Sequence, residues 1–421
     1  MPALSLRLGA ALFALVPLSA QAHIGLEPQS VDLLHPPGES LPLDLESTFA
    51  LFRSDDGVQW RFTCHEALLA DPNVVSDQLP RYVRATGALL VAQRALGLGF
   101  ASDVDVYRST DGGCDWSAVS GLTNHTIADL AVLSDGTSVI AGSSDQGTTN
   151  GLYYSTDAGA DFDDSDAVAI DGLVLSVAAG PGQTAWATSL NQSGGQIWRS
   201  TDGGATWGSF PFLFDAETGS PENLTLPMAD PTDPLVAWVR AAGVQFDYIY
   251  RTNDGGENFT EVFREARSID DGQVTGDAVM LAVSGGRPAS SADGEAFGIV
   301  SELPVTEGIA NPPSGVFLAT ARTEDFAIAR LDNGSATALM GFGDVTEELS
   351  CPAGTRHAQV CSAIWPDALA VLEFARNDDD DAADDDDASG DDDDAKGCTL
   401  AEGPSLGWLL LPLVLARRRR Q

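Results

Sequence analysis

Lysine is almost absent from this sequence. Only Lys396 is present in 421 residues, and 22 lysines and arginines face 62 aspartates and glutamates, which gives a net charge of −40. Such an acidic surface repels phosphate backbones and anionic lipid headgroups. These counts exclude nucleic acid as a partner, and they leave a membrane contact to be expected only through the C-terminal tail.

Apolar runs long enough to span a bilayer are also missing. Leu406–Ala416 would rise only about 17 Å as a helix, whereas the hydrocarbon core is about 30 Å thick. Near the N-terminus, Arg7, the apolar run Leu8–Leu18 and the small residues Ala20-Gln21-Ala22 have the layout of a secretory signal peptide over residues 1–22. A buried N-terminal strand is the alternative. We expect an exported protein that is secreted, displayed on the cell surface or associated with the outer membrane.

One turn-forming pattern, S/T-x-D-x-G-x-x-W/F, recurs along the chain. Four strong copies have these aspartates, glycines and aromatic residues: Asp111, Gly113 and Trp116; Asp157, Gly159 and Phe162; Asp202, Gly204 and Trp207; Asp254, Gly256 and Phe259. A fifth copy, with arginine in its first position, has Asp55, Gly57 and Trp60. The copy at Asp293 is one residue short before its aromatic residue, and the copy at Asp332 lacks the aromatic residue.

Each part of the pattern has a physical role. The aspartate accepts hydrogen bonds from N–H groups of its own turn, and the glycine supplies a positive φ without steric cost. The aromatic ring can fold beneath the hairpin and become buried. Successive aspartates of the pattern are 39 to 56 residues apart, and a four-stranded propeller blade needs about 40–50 residues.

The pattern resembles the Asp box, or BNR repeat, of sialidases, sortilin-type receptors and photosystem-assembly-factor-like propellers. The resemblance covers roughly residues 40–375. It implies that each box joins the two outer strands of a blade, where it braces the blade and does not act on a substrate.

The predicted fold is therefore all-β, a single β-propeller over residues 23–376 with seven four-stranded blades. Six or eight blades would also accommodate the weak last two copies. We expect the ring to close by pairing Ala368–Phe374 with an N-terminal strand near Leu43–Phe52, which leaves only short edges.

Four of the five cysteines are expected in disulfides. Cys64 and Cys114 lie in or just after the first two copies, so equivalent positions on adjacent blades would bring them together. Cys351 and Cys361 flank a short loop and suggest a local bridge. Free buried thiols are the alternative to the first bridge, and metal binding is disfavoured because no Cys/His cluster has zinc-like spacing.

The fifth, Cys398, belongs to the tail. Three aspartate tetrads make residues 377–397 a self-repelling, disordered linker. Gly397-Cys398, the short apolar stretch and Arg417–Arg420 resemble a myxobacterial-type C-terminal sorting tail over residues 398–421. That resemblance implies that Cys398 is lipid-modified and the remainder is removed; a short uncleaved anchor is the alternative.

No catalytic signature accompanies the repeats. The Phe-Arg-Ile-Pro motif of sialidases is absent, and the arginines recur with the blades and are expected to cover blade surfaces. The histidines are scattered, so we expect no cofactor and no metal. The sequence favours a monomeric, non-catalytic scaffold that binds an extracellular protein or polysaccharide. A polysaccharide-active glycosidase or lyase is the alternative, which acids and arginines converging on the central channel would favour.

Overall fold

The computed structural model describes residues 28–68, 80–92, 106–122, 125–145, 149–165, 169–214, 221, 223–276 and 278–380. These residues form seven sheets of at least four strands each, which confirms the predicted seven-bladed β-propeller. The predicted signal peptide, Cys398 and the predicted sorting segment lie outside the described residues. Among the described helices, none has the length and apolar character needed to cross a membrane.

The first three blades use the N-terminal part of the chain. Blade 1 contains β1 (Ser30–Leu34), β2 (Leu43–Ser47), β3 (Ala50–Ser54) and β4 (Arg61–Cys64). Blade 2 contains β5 (Arg81–Ala85), β6 (Ala88–Ala92), β7 (Val106–Ser109) and β8 (Ser117–Ala118). Blade 3 contains β9 (Ile127–Val132), β10 (Val139–Ser143), β11 (Leu152–Ser155) and β12 (Asp163–Asp164).

The next four blades repeat this arrangement. Blade 4 contains β13 (Leu173–Ala179), β14 (Ala185–Asn191), β15 (Gly194–Ser200) and β16 (Gly208–Phe212). Blade 5 contains β17 (Asn223–Ala229), β18 (Ala237–Ala242), β19 (Asp247–Thr252) and β20 (Thr260–Glu265). Blade 6 contains β21 (Ile269–Val274), β22 (Val279–Val283), β23 (Ala289–Ser291) and β24 (Gly298–Ile299). Blade 7 contains β25 (Thr306–Ala310), β26 (Val316–Thr320), β27 (Ile328–Asp332) and β28 (Ser335–Met340).

The first strand of each blade is the innermost strand of the ring. β1, β5, β9, β13, β17, β21 and β25 contact one another in that order, and β25 packs against β1 to complete the circle. The apolar core lies between the faces of adjacent blades. For example, Ile197 of blade 4 packs in one cluster with Leu224 and Val239 of blade 5. Every blade therefore depends on its neighbours to bury its two faces.

The ring closes differently from the prediction. Ala368–Phe374 is not a strand but part of helix α1 (Arg356–Asp380). The prediction that this segment closes the ring by pairing with an N-terminal strand is therefore wrong. Blade 1 takes all four of its core strands from the N-terminal region, and β29 (Glu347–Glu348) adds a short parallel strand beside β4. Helix α1 then packs on blade 1, burying Cys361, Ala368 and Leu372. The helix runs through Asp380 and so includes the start of the predicted disordered linker.

The four cysteines are all in disulfides, but both predicted pairings are wrong. Cys64 is bonded to Cys361 and Cys114 to Cys351, across 297 and 237 residues of sequence. Both bridges link the C-terminal segment to the first two blades. The equivalence of Cys64 and Cys114 fails because Cys64 ends β4, whereas Cys114 lies within the turn that precedes β8. The disulfides therefore fasten the end of the ring to its beginning.

Candidate functional site

The repeated turns join the third and fourth strands of their blades, as the sequence predicts. In blade 2, the Ser109 hydroxyl donates to Asp111 Oδ1 (2.8 Å) and accepts from the N–H of Gly113 (2.8 Å). The N–H of Asp115 donates to the same carboxylate (3.0 Å). Equivalent bonds recur around Asp157, Asp202 and Asp254. These aspartates are engaged in holding their own turns.

The structure corrects the predicted roles of two turn aspartates, Asp55 and Asp332. In blade 1, the hydroxyl of Ser54 pairs with Asp56 (3.2 Å), and Asp56 accepts from the N–H of Gln59 (2.7 Å). Asp56 therefore takes the role predicted for Asp55, which instead forms an ion pair with Arg53 (2.8 Å). This turn has the same short form as the one at Asp293.

In blade 7, the copy at Asp332 is not this turn at all. Asp332 pairs with Ser335, and Asn333 and Gly334 between them have φ of 50° and 81°. Two successive residues of positive φ are the mark of a tight two-residue hairpin. The prediction for Asp332 is therefore wrong.

The arginines that recur with the blades reach neighbouring turns. Nη1 of Arg53 donates to the carbonyl of Gly112 in blade 2 (3.0 Å), and Nε of Arg108 donates to the carbonyl of Ala158 in blade 3 (2.8 Å). In blade 5, Arg251 stacks over Trp238 (5.6 Å) and pairs with Glu295 of blade 6 (2.8 Å). These arginines tie blade to blade and do not meet at one centre.

A different set of polar residues converges on the axis of the ring. A central cavity of about 630 Å³ is lined by the innermost strands of all seven blades. One residue from each strand, in blade order, is Asp32, Arg81, Asp129, Ser176, Thr225, Asp271 and Ile309. A cavity of this size with a few convergent polar groups is typical of a small-ligand site.

Arg81 lies between two carboxylates of the cavity. Its Nη1 is 3.1 Å from Asp32 Oδ2, and its Nε is 3.3 Å from Asp129 Oδ1. Burial alone would lower the pKa of Arg81, but the carboxylates of Asp129 and Asp32 outweigh it and raise that pKa. About 39% of the arginine side chain is exposed. The guanidinium is thus permanently charged, held in place and accessible from the cavity.

Asp129 is committed to holding neighbouring strands together. Besides Arg81, its Oδ1 accepts the N–H of Leu130 (3.0 Å). Its Oδ2 accepts the Ser176 hydroxyl (3.1 Å) and the N–H of Val177 (3.0 Å). A β-bulge between Val174 and Ser176 interrupts the pairing of β13 just before this point. Asp129 therefore links blades 2, 3 and 4.

Asp271 of blade 6 also lies on the cavity wall. Its Oδ2 accepts the N–H of Ile309 in blade 7 (2.7 Å). Burial and then the nearby carboxylate of Asp32 raise the pKa of Asp271 to about 8, against the opposing effects of the Ile309 and Gly272 N–H groups and Arg81. Burial likewise raises the pKa of Asp32, although Arg81 opposes it. The pKa values of both carboxyls are therefore raised, which favours retention of a proton by the Asp32–Asp271 pair.

These channel residues were not predicted from the sequence. Asp32 and Asp129 each interrupt an apolar strand, in Val31–Leu34 and Ile127–Val132. A single charge inside such a strand was the available signal. No sequence signal shows that Arg81 lies between them, because this depends on the ring. Among the residues that the structure describes, no group of three or more His, Cys, Asp or Glu could hold a metal ion.

No protein-family model and no curated protein sequence matches the chain. Its structure is similar to an ancestral GH74 enzyme, with a TM-score of 0.52 and 16% identity over 73% of this chain. The match covers 46% of that enzyme, so the chain spans less than half of its length. YCF48 from Cyanidioschyzon merolae has a TM-score of 0.48 and 15% identity, with 70% of this chain and 93% of that chain covered. At 16% identity the similarity to the GH74 enzyme shows the fold alone.

Proposed function

We propose that this protein is an exported, cell-surface propeller that binds an extracellular polysaccharide or protein without catalysis, and that the central cavity is its recognition site. The repeated turns are Asp boxes in this proposal and serve the scaffold. Cys398 is the lipid-modified residue that attaches the protein to the membrane. The strong negative charge of the chain disfavours polyanionic ligands.

The engagement of the channel acids carries the non-catalytic proposal. Asp129 accepts four hydrogen bonds, and Asp32 accepts from the N–H of Leu33 (2.7 Å) as well as from Arg81. A general base must have an oxygen directed at the proton that it removes. The oxygens of Asp129 and Asp32 instead hold neighbouring strands and fix the position of Arg81.

A glycosidase is the second candidate, and a specific observation favours it. Five acids and three arginines line the cavity, and acids and arginines converging on the central channel are what the enzyme alternative predicts. Asp32 and Asp271 both have raised pKa values, and glycoside hydrolysis uses a pair of carboxyl groups of which one retains a proton as the acid. The structural similarity to a GH74 enzyme makes this alternative worth testing directly.

A joint binding and turnover assay distinguishes the two functions. The full-length protein is incubated with insoluble polysaccharides and with extracellular proteins, and both retention and newly formed reducing ends are measured. We expect retention on one ligand class with no reducing ends above the level of an Asp271→Asn variant. Saccharide release by the wild type that this variant lacks would establish the glycosidase and overturn the scaffold proposal.

A further inference from the structure

Resting on the proposed attachment through the C-terminal tail, we infer that residues 345–380 and their two disulfides form a mechanical clamp. The clamp passes tension from the tail directly into blades 1 and 2. It thereby prevents the ring from unravelling at its last blade when the protein is anchored by the tail and holds a ligand at the axis.

The order of the cysteines along the chain determines where the force goes. Tension applied at the C-terminal end of helix α1 reaches Cys361 before any residue of blades 2–7. Cys361 is bonded to Cys64, the last residue of β4 in blade 1. Because this bond is covalent, the force enters blade 1 without stretching the 297 residues of sequence that separate the two cysteines.

The second disulfide lies inside the first. Cys351 and Cys114 are both located between Cys64 and Cys361 in the sequence, so the two bridges are nested. With the outer bridge open, tension would next reach Cys351 and enter the turn that precedes β8 of blade 2. The strands of blade 7 would again remain unloaded.

Without either bridge, the pull would reach β28 of blade 7. β28 is the outermost strand of its sheet and is largely exposed, and among the described strands it pairs only with β27. A pull on its end would load its hydrogen bonds one after another, and each contributes only about 1 kcal/mol. By contrast β4, which receives the force through Cys64, is hydrogen-bonded on both sides, to β3 and to β29.

Noncovalent contacts of the clamp fall on the same two blades. The ring centroids of Trp365 in α1 and Phe62 in blade 1 are 5.3 Å apart. The N–H of Leu349 donates to the carbonyl of Phe62 (2.9 Å), and the N–H of His357 donates to the carbonyl of Cys114 in blade 2 (3.0 Å). The packing therefore seats the segment where its bridges are formed.

The outer bridge encloses most of the candidate recognition site. Six of the seven inner strands that line the cavity lie between Cys64 and Cys361, and only β1 lies before them. Tension on the tail therefore does not draw these six strands out of the ring. The cavity keeps its wall while the tail is under load.

Pulling the full-length protein by a handle at each terminus tests the inference. In the oxidised protein only the residues up to Cys64 and from Cys361 onward can be drawn out, so we expect a limiting length of about 440 Å. In Cys64→Ala/Cys361→Ala, the inner bridge should set a limit of about 650 Å. The matched control is Cys114→Ala/Cys351→Ala, which keeps the outer bridge and should stop at about 440 Å.

The variant with all four substitutions tests whether the bridges are needed. Held at the force that brings the oxidised wild type to its limit, it should extend further, toward about 1,500 Å. An extension that stops at about 440 Å would show that noncovalent contacts keep the ring closed, and would overturn the inference. So would extension of Cys64→Ala/Cys361→Ala far beyond 650 Å, a result that does not require the fourfold variant to fold.

A separate assay examines the attachment on which the inference rests. Cys398→Ser should release the protein from the cell surface into the medium. Its retention on the cells would overturn the proposed attachment, and with it the source of the tension, whatever the pulling curves show. Release of this variant together with a fourfold variant that stays closed would overturn the clamp and leave the attachment standing.

Discussion

At the scale of single residues, Gly294 of a repeated turn serves the neighbouring blade as well as its own turn. Gly294 has φ of 72°, and a Cβ built on it would lie 2.4 Å from Cζ2 of Trp238 in blade 5. The Trp238 indole N–H donates to the carbonyl of Gly294 (3.0 Å), and the side chain is only 1% exposed. Glycine is therefore required here twice, for the backbone and for the space.

Gly57 provides a matched control for Gly294. It occupies the same position of the same short turn, with φ of 75°, but its built Cβ meets only Leu41 Cδ2 at 3.7 Å. We expect Gly57→Ala to cost about 1 kcal/mol, from the positive φ alone. Gly294→Ala should cost about 1–3 kcal/mol more, because the rigid Trp238 ring cannot move aside. Equal losses in urea unfolding would show that the contact between blades has no energetic weight.

Residue roles were predictable where they depend on local geometry. The hydrogen bonds around Asp111, Asp157, Asp202 and Asp254 follow from spacing within eight residues, and the sequence gives that spacing directly. The turn-holding role of Asp56 was assigned to Asp55 because the two aspartates are adjacent in the sequence. The hydrogen bond from the Ser54 hydroxyl distinguishes them. Arg81 and Asp271 depend on contacts between blades far apart in sequence, which no local pattern reveals.

At the scale of elements, helix α1 takes the place of a closing strand. Cys361, Ile364, Ala368 and Leu372 lie three or four residues apart and all pack on blade 1. This spacing is that of one face of a helix, and alanine and leucine favour helices. The segment Ala368–Phe374 was predicted as a strand because it is apolar. The helix covers the outer part of blade 1, where the two-residue strand β29 pairs with the outer edge of β4.

The disulfides should therefore make a large contribution to the stability of the closed ring. We expect the double variant Cys64→Ala/Cys361→Ala to lose about 2–5 kcal/mol of unfolding free energy, because the bridge closes a very long loop. Denaturant unfolding of this variant and of Cys114→Ala/Cys351→Ala measures each bridge separately. A loss below 1 kcal/mol in both would mean that the noncovalent contacts of β1 with β25 suffice to close the ring.

At the scale of the whole molecule, the blade number followed from the spacing of the repeats, but the chemistry of the axis did not. The repeats describe the outer strands, whereas the cavity is built from the inner strands, whose sequences differ between blades. Only the closed ring places Asp32 of blade 1 near Asp271 of blade 6. The candidate site is therefore a property of the assembled ring rather than of any segment.

The central claim, that recognition takes place at the axis of the ring, is tested most directly by hydrogen–deuterium exchange. Exchange is measured with and without the ligand found in the binding screen. The account predicts that the ligand slows exchange in the peptides containing β1, β5 and β21, the strands of Asp32, Arg81 and Asp271. Slower exchange confined to the outer strands β12, β16 and β20, or to the repeated turns, would place recognition on the rim and contradict the account.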